Sequence, residues 1–142
     1  MASSWICVDA NLVVRLVADP QDTLVRAQWQ QWEDDGFQFA APTLIHYETT
    51  NALYQYERRG FLSVETVRLA QEAALALHLT FFGDADLHRS ALRLAQRLAL
   101  PATYDAHYLA VAERLGAELW TADGRLVQAV RDELSWVRLL AY

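Results

Sequence analysis

Four acidic residues stand where a carboxylate could do chemistry: Asp9, Glu48, Asp105 and Asp123. Asp9 directly follows the short apolar run Trp5–Val8, and Asp123 comes two residues after the run ending at Trp120-Thr121. Asp105 falls in the first turn of the helix expected after Thr103, and Glu48 in the second turn of the helix expected after Thr43. Singly, each has an ordinary use as a helix cap, a partner of the helix dipole, a turn residue or a solvated side chain. Gathered in one cleft they would repel, and at least one would keep its proton to unusually high pH. A divalent cation removes that conflict. Hard oxygen donors, with no cysteine partner and no paired-histidine motif, select Mg2+ or Mn2+ over Zn2+. Magnesium keeps several waters and favours phosphate-bearing substrates, so the implied chemistry is phosphodiester hydrolysis. An ion there would polarise the phosphate, generate or orient hydroxide and stabilise the leaving oxygen.

Composition removes several alternatives. All 12 basic residues are arginine and none is lysine. That excludes Schiff-base chemistry, a P-loop lysine and a serine–lysine dyad. It also excludes receiver domains and haloacid-dehalogenase phosphatases, whose acidic clusters work beside a lysine. The single cysteine, Cys7, rules out a disulfide framework and a cysteine zinc site. A net charge of −6 and a pI near 5.1 argue against a purely electrostatic nucleic-acid binder. Phosphates would have to be met by a local arginine patch or by metal ions. The 142 residues, 54% hydrophobic, suit one domain, 1–142, able to bury its own core. The first residues lack the pattern of a secretory signal and no apolar stretch is long enough to span a bilayer, so a cytoplasmic protein without a membrane partner is expected.

The elements that must position the four acids alternate in type. Strands are predicted at Trp5–Val8, Phe37–Ala41, Leu79–Phe82, Glu118–Thr121 and Trp136–Leu140. Between them, helices are predicted over Leu12–Val17 and Thr23–Asp35, then from Thr43 to about Arg58 and from Ser63 to about His78. Others run from Asp84 or Asp86 to Leu98, stopped before Pro101, then over Tyr104–Leu115 capped by Thr103, and over Gly124–Asp132. Such alternation means an α/β fold with a mainly parallel sheet and right-handed crossovers. Ligands in such sheets bind beyond the carboxyl ends of the strands, where the four acids would lie.

The local contexts resemble a known family. Val8-Asp9-Ala10-Asn11-Leu12-Val13-Val14-Arg15 is similar to the opening motif of PIN-domain nucleases, and Tyr47-Glu48-Thr49-Thr50-Asn51-Ala52-Leu53 resembles their helix glutamate motif. Tyr104-Asp105-Ala106-His107-Tyr108-Leu109-Ala110-Val111-Ala112 and Leu119-Trp120-Thr121-Ala122-Asp123-Gly124-Arg125-Leu126 resemble the third and fourth. Motif order, spacing and length match over essentially the whole chain, and the size is most like VapC-type toxins of toxin–antitoxin pairs. The resemblance implies a PIN-like three-layer α/β/α sandwich and a Mg2+- or Mn2+-dependent endoribonuclease. Asp9, Glu48, Asp105 and Asp123 would be its catalytic and metal-holding residues, with Asn11 and Thr121 as supporting polar neighbours. Implied partners are an RNA substrate, a small antitoxin that plugs the cleft, and a second copy in a homodimer. Two further readings stand beside it: a PIN-like nuclease of DNA or RNA processing without an antitoxin, and an inactive protein-binding PIN module.

Other residues carry weaker signals. Arg15, Arg58 and Arg59 are RNA-contact candidates, because a guanidinium can grip two phosphate oxygens at once. Arg89, Arg93 and Arg97 share one helix face, more simply a solvated one. Trp29 and Trp32 read as core, and Cys7 as a small buried residue. Tyr47, Tyr54 and Tyr56 invite base stacking, but one helix cannot expose all three in one direction. His46 and His107 rank below the four acids as catalytic groups, and Arg125 follows Asp123 with no assigned role.

Overall fold

A computed structural model describes residues 3–140. The elements run β1 Trp5–Val8, α1 Ala10–Ala18, α2 Thr23–Asp34, β2 Gln38–Pro42, α3 Leu44–Arg58, α4 Val64–Leu75, β3 Leu79–Phe82, α5 Ala85–Leu98, α6 Tyr104–Leu115, β4 Glu118–Thr121, α7 Gly124–Val130 and β5 Val137–Leu139. All five strands pair parallel in the order β3-β2-β1-β4-β5. The chain therefore winds outward from β1 to β3, then returns past β1 to β4 and β5. Right-handed crossovers put the helices of the outward half on one face and those of the return on the other. The direction of winding reverses between β1 and β4, paired with Val8 opposite Trp120. Such a reversal leaves a crevice at the carboxyl ends of the two strands.

Local chemistry accounts for most boundaries. Asp9, Asp22, Ser63 and Asp84 cap α1, α2, α4 and α5, each side chain accepting the backbone N–H three residues on. The central strands are covered on both faces, which their apolar runs require: Ile6, Cys7, Val8 and Leu119 are all buried. Trp29 and Trp32 are core, as their spacing suggests, with the Trp29 ring stacked 4.2 Å from that of Phe39. Cys7 is buried too, and burial pushes its thiol up to about 12. A smaller cluster, Val14, Ala18, Leu53 and Ala70, joins α1, α3 and α4. Among the described residues no helix is long and apolar enough to cross a membrane.

Several boundaries differ from expectation. Thr43 and Thr103 precede α3 and α6 but already have helical backbone and make no side-chain capping bond. The Thr43 amide is instead tied to the Phe82 carbonyl at 2.9 Å, so β3 anchors the start of α3. Helix α4 stops at Leu75 rather than near His78, because the chain must turn into β3, with the Leu79 amide bonded to the Leu77 carbonyl. Helix α7 ends at Val130, and the Leu134 amide closes onto the Val130 carbonyl at 2.8 Å. Helix α5 ends at Leu98 as predicted, but the reversal falls on Ala99 at φ 52°, in the left-handed region that favours glycine.

Candidate metal centre

Asp9 leaves β1 at the reversal point and caps α1, its Oδ1 accepting the Leu12 amide at 3.1 Å. Its Oδ2 accepts the Thr121 hydroxyl, carried by the last residue of β4. Thr121 is fully buried, and its Oγ1 also accepts the Asp123 amide at 2.9 Å. One hydroxyl thus locks Asp9 to the turn carrying Asp123. Asp9 is only 7% exposed. Burial pushes its carboxyl up to about 7; the charges of Asp105 and Asp123 add to the rise, while the Thr121 and Leu12 bonds oppose it.

Asp105 lies exposed in the first turn of α6. Its carboxyl is also raised, by partial desolvation first, then by Asp123 and Glu48. Asp123 caps α7 through the Arg125 amide at 2.9 Å. Glu48, in the second turn of α3, accepts the Tyr108 hydroxyl on Oε1 at 2.7 Å. Repulsion thus links Asp9 to Asp105 and Asp123, and Asp105 to Asp123 and Glu48, from four separate segments.

Among the described residues, the hydrogen-bond partners of these carboxylates are neutral donors: the hydroxyls of Thr121 and Tyr108 and the amides of Leu12 and Arg125. No three His, Cys, Asp or Glu side chains among the described residues are gathered into a group that could hold an ion as they stand. The donors share a field without closing on a common point. In type and charge they fit a hard divalent cation: all are oxygens, all face like charge, and at least two resist ionisation.

The remaining candidates are placed as follows. Asn11 is exposed in the first turn of α1 and makes no side-chain hydrogen bond to the four acids. Arg15 is turned to the protein itself: its Nε meets Asp22 at 2.8 Å and its Nη1 the Leu140 carbonyl at 3.3 Å. Arg58 and Arg59 are exposed at the far end of α3, roughly 15 Å of helix axis beyond Glu48. Arg89 pairs with Asp86 on its own helix at 2.6 Å. Tyr47 and Tyr54 are exposed, whereas Tyr56 packs edge-on against Phe61. His46 lies against the Phe81 ring. His107 donates from Nδ1 to the Thr103 carbonyl at 2.6 Å, which leaves its Nε2 to accept from His88 at 2.8 Å.

Two residues of interest escaped the sequence reading. Tyr108 carries a hydroxyl into the site, yet its apolar helical context reads only as core. Arg131 lines an open groove with Asp123, Arg125 and Gln128, a placement set by the turn after α7.

No curated protein matches the chain. A solved structure, "Crystal structure of PAE2754 from Pyrobaculum aerophilum", is similar at a TM-score of 0.66 and 28% identity, covering 91% of this chain and 87% of that one. The PIN domain family matches residues 6–132. That span runs from within β1 through α3, α6 and β4 to α7, and the chain belongs to the PIN domain family.

Proposed function

We propose that this chain is a Mg2+- or Mn2+-dependent endoribonuclease of the cytoplasm that serves as the toxin of a toxin–antitoxin pair. PIN domains are usually nucleases and typically use divalent metals. The observation that carries the reading is the repulsion that links Asp9 to Asp105 and Asp123, and Asp105 to Asp123 and Glu48, with neutral donors bonded to these carboxylates among the described residues. Asp9, Asp105 and Asp123 would hold the ion. Glu48 would hold it directly or through water, or place the attacking water. A bound ion would supply charge neutralisation and Lewis acidity toward the phosphate. Thr121 holds Asp9 in place from behind. Arg125 and Arg131, beside Asp123, suit an RNA backbone, and the exposed rings of Tyr47 and Tyr54 suit unstacked bases. An antitoxin entering the cleft and a homodimer complete the reading.

The test is cleavage of RNA by the purified protein with Mn2+, with sequencing of the cut ends. Wild-type cleavage that disappears in Asp9→Asn supports the reading. An absence of cleavage by the wild type, with equal toxicity of both forms in cells, ends it. The open spacing of the carboxylates favours one rival, a protein-binding PIN module without activity. Mn2+ separates the two: a retained centre gains thermal stability at millimolar metal, and a binding module does not.

A further inference from the structure

Tyr108 is 2% exposed and sits in α6, one turn beyond Asp105. Its ring belongs to the core cluster that includes Ala10 and Val13 of α1. Its hydroxyl donates to Glu48 Oε1 at 2.7 Å. That bond joins α6, which carries Asp105, to α3, which carries Glu48, while the core cluster of the ring includes Ala10, the residue after Asp9.

Glu48 needs such a tether. Its side chain has three rotatable bonds, it is half-buried beside solvent, and the charge of Asp105 repels it. We infer that Tyr108 is the positioning residue for Glu48: its hydroxyl fixes one carboxylate oxygen and thereby holds the other toward Asp105 and the ion site. The rival explanation reverses cause and effect: a buried tyrosine hydroxyl needs an acceptor, and Glu48 merely supplies one.

This inference rests on the proposed metal site, and the test separates the two. Mn2+ affinity is measured by calorimetry on the intact chain for the wild type, Tyr108→Phe, Glu48→Gln and the double variant. Phenylalanine keeps the ring and removes only the donor. Tyr108→Phe is expected to weaken Mn2+ binding about tenfold or more, the usual cost of losing a group that orients a metal ligand. In the Glu48→Gln background it should cost nothing further, and KM for RNA at saturating Mn2+ should be unchanged. Wild-type affinity in Tyr108→Phe, or an equal loss in both backgrounds, overturns the tether while leaving the metal site standing. A wild type that binds no Mn2+ overturns both.

Discussion

Asp9 and Asp84 do the same local job. Each lies just past the end of a strand, caps the helix that follows, and accepts the amide three residues on. Their ionisation is nevertheless driven in opposite directions. Asp84 is gripped by the fork of Arg114 at 2.7 and 3.0 Å, and that bond holds its carboxyl well below the usual range. Asp9 is buried among other carboxylates with neutral donors, and its carboxyl rises to about 7. The two places differ in what faces the carboxylate. At Asp84 the protein supplies a counter-charge in Arg114; at Asp9 the bonded partners are the neutral Thr121 hydroxyl and Leu12 amide.

The largest expected effect breaks the Asp9 side. Asp9→Asn should cut RNA cleavage by more than about a hundredfold, because a ligand charge is lost and not only its orientation. Thermal melts of the same variant should show Mn2+ stabilising the wild type and not the mutant. Next comes the pH dependence of the metal-free protein. Asp9 has a folded value above its unfolded one, so its contribution is complete below about pH 4 and is lost as pH rises toward 7, on the order of a few kcal/mol. Urea unfolding across that window should show the loss, and Asp9→Asn should flatten it. Asp84 must behave oppositely. Its value is lowered, so its contribution is present above about pH 4 and is lost at more acid pH, and Arg114→Ala should remove that acid-side dependence alone.

Smaller effects sharpen the picture. Arg125→Gln and Arg131→Gln should each lower the salt dependence of RNA binding by about one in slope, read by titration at several salt concentrations, with Mn2+ affinity unchanged. Ala99→Gly, far from both regions, should stabilise the fold by about 0.5–1 kcal/mol in urea, because it relieves the left-handed backbone at the end of α5.

Much of this was legible from residue order. The five strands and seven helices follow from apolar runs and from the capping residues Asp9, Ser63 and Asp84, which act over three or four positions. The positions of Asp9 and Asp123 just past β1 and β4 also followed, whereas Asp105 comes after α5 and not after a strand, and only the fold brings it near Asp123. Arg15 marks where such reasoning stops. Its place beside the first motif suggested an RNA contact, and only the fold brings Asp22 and the end of β5 against it. Ala99 marks another: Pro101 announces the end of α5, but not which residue takes the reversal.

The amino-acid order alone determined the alternation of elements, the identity of the acids, and a basic complement made only of arginine. Hydrogen bonding along a helix and burial along a strand are short-range, so neighbours in sequence suffice to write them. The tertiary structure decided which aspartate is forced toward its neutral form and which is held charged, and that Tyr108 reaches Glu48 across 60 positions and Thr121 reaches Asp9 across 112. Desolvation and Coulomb forces act through space, and the groups that exert them come together only when the sheet is assembled.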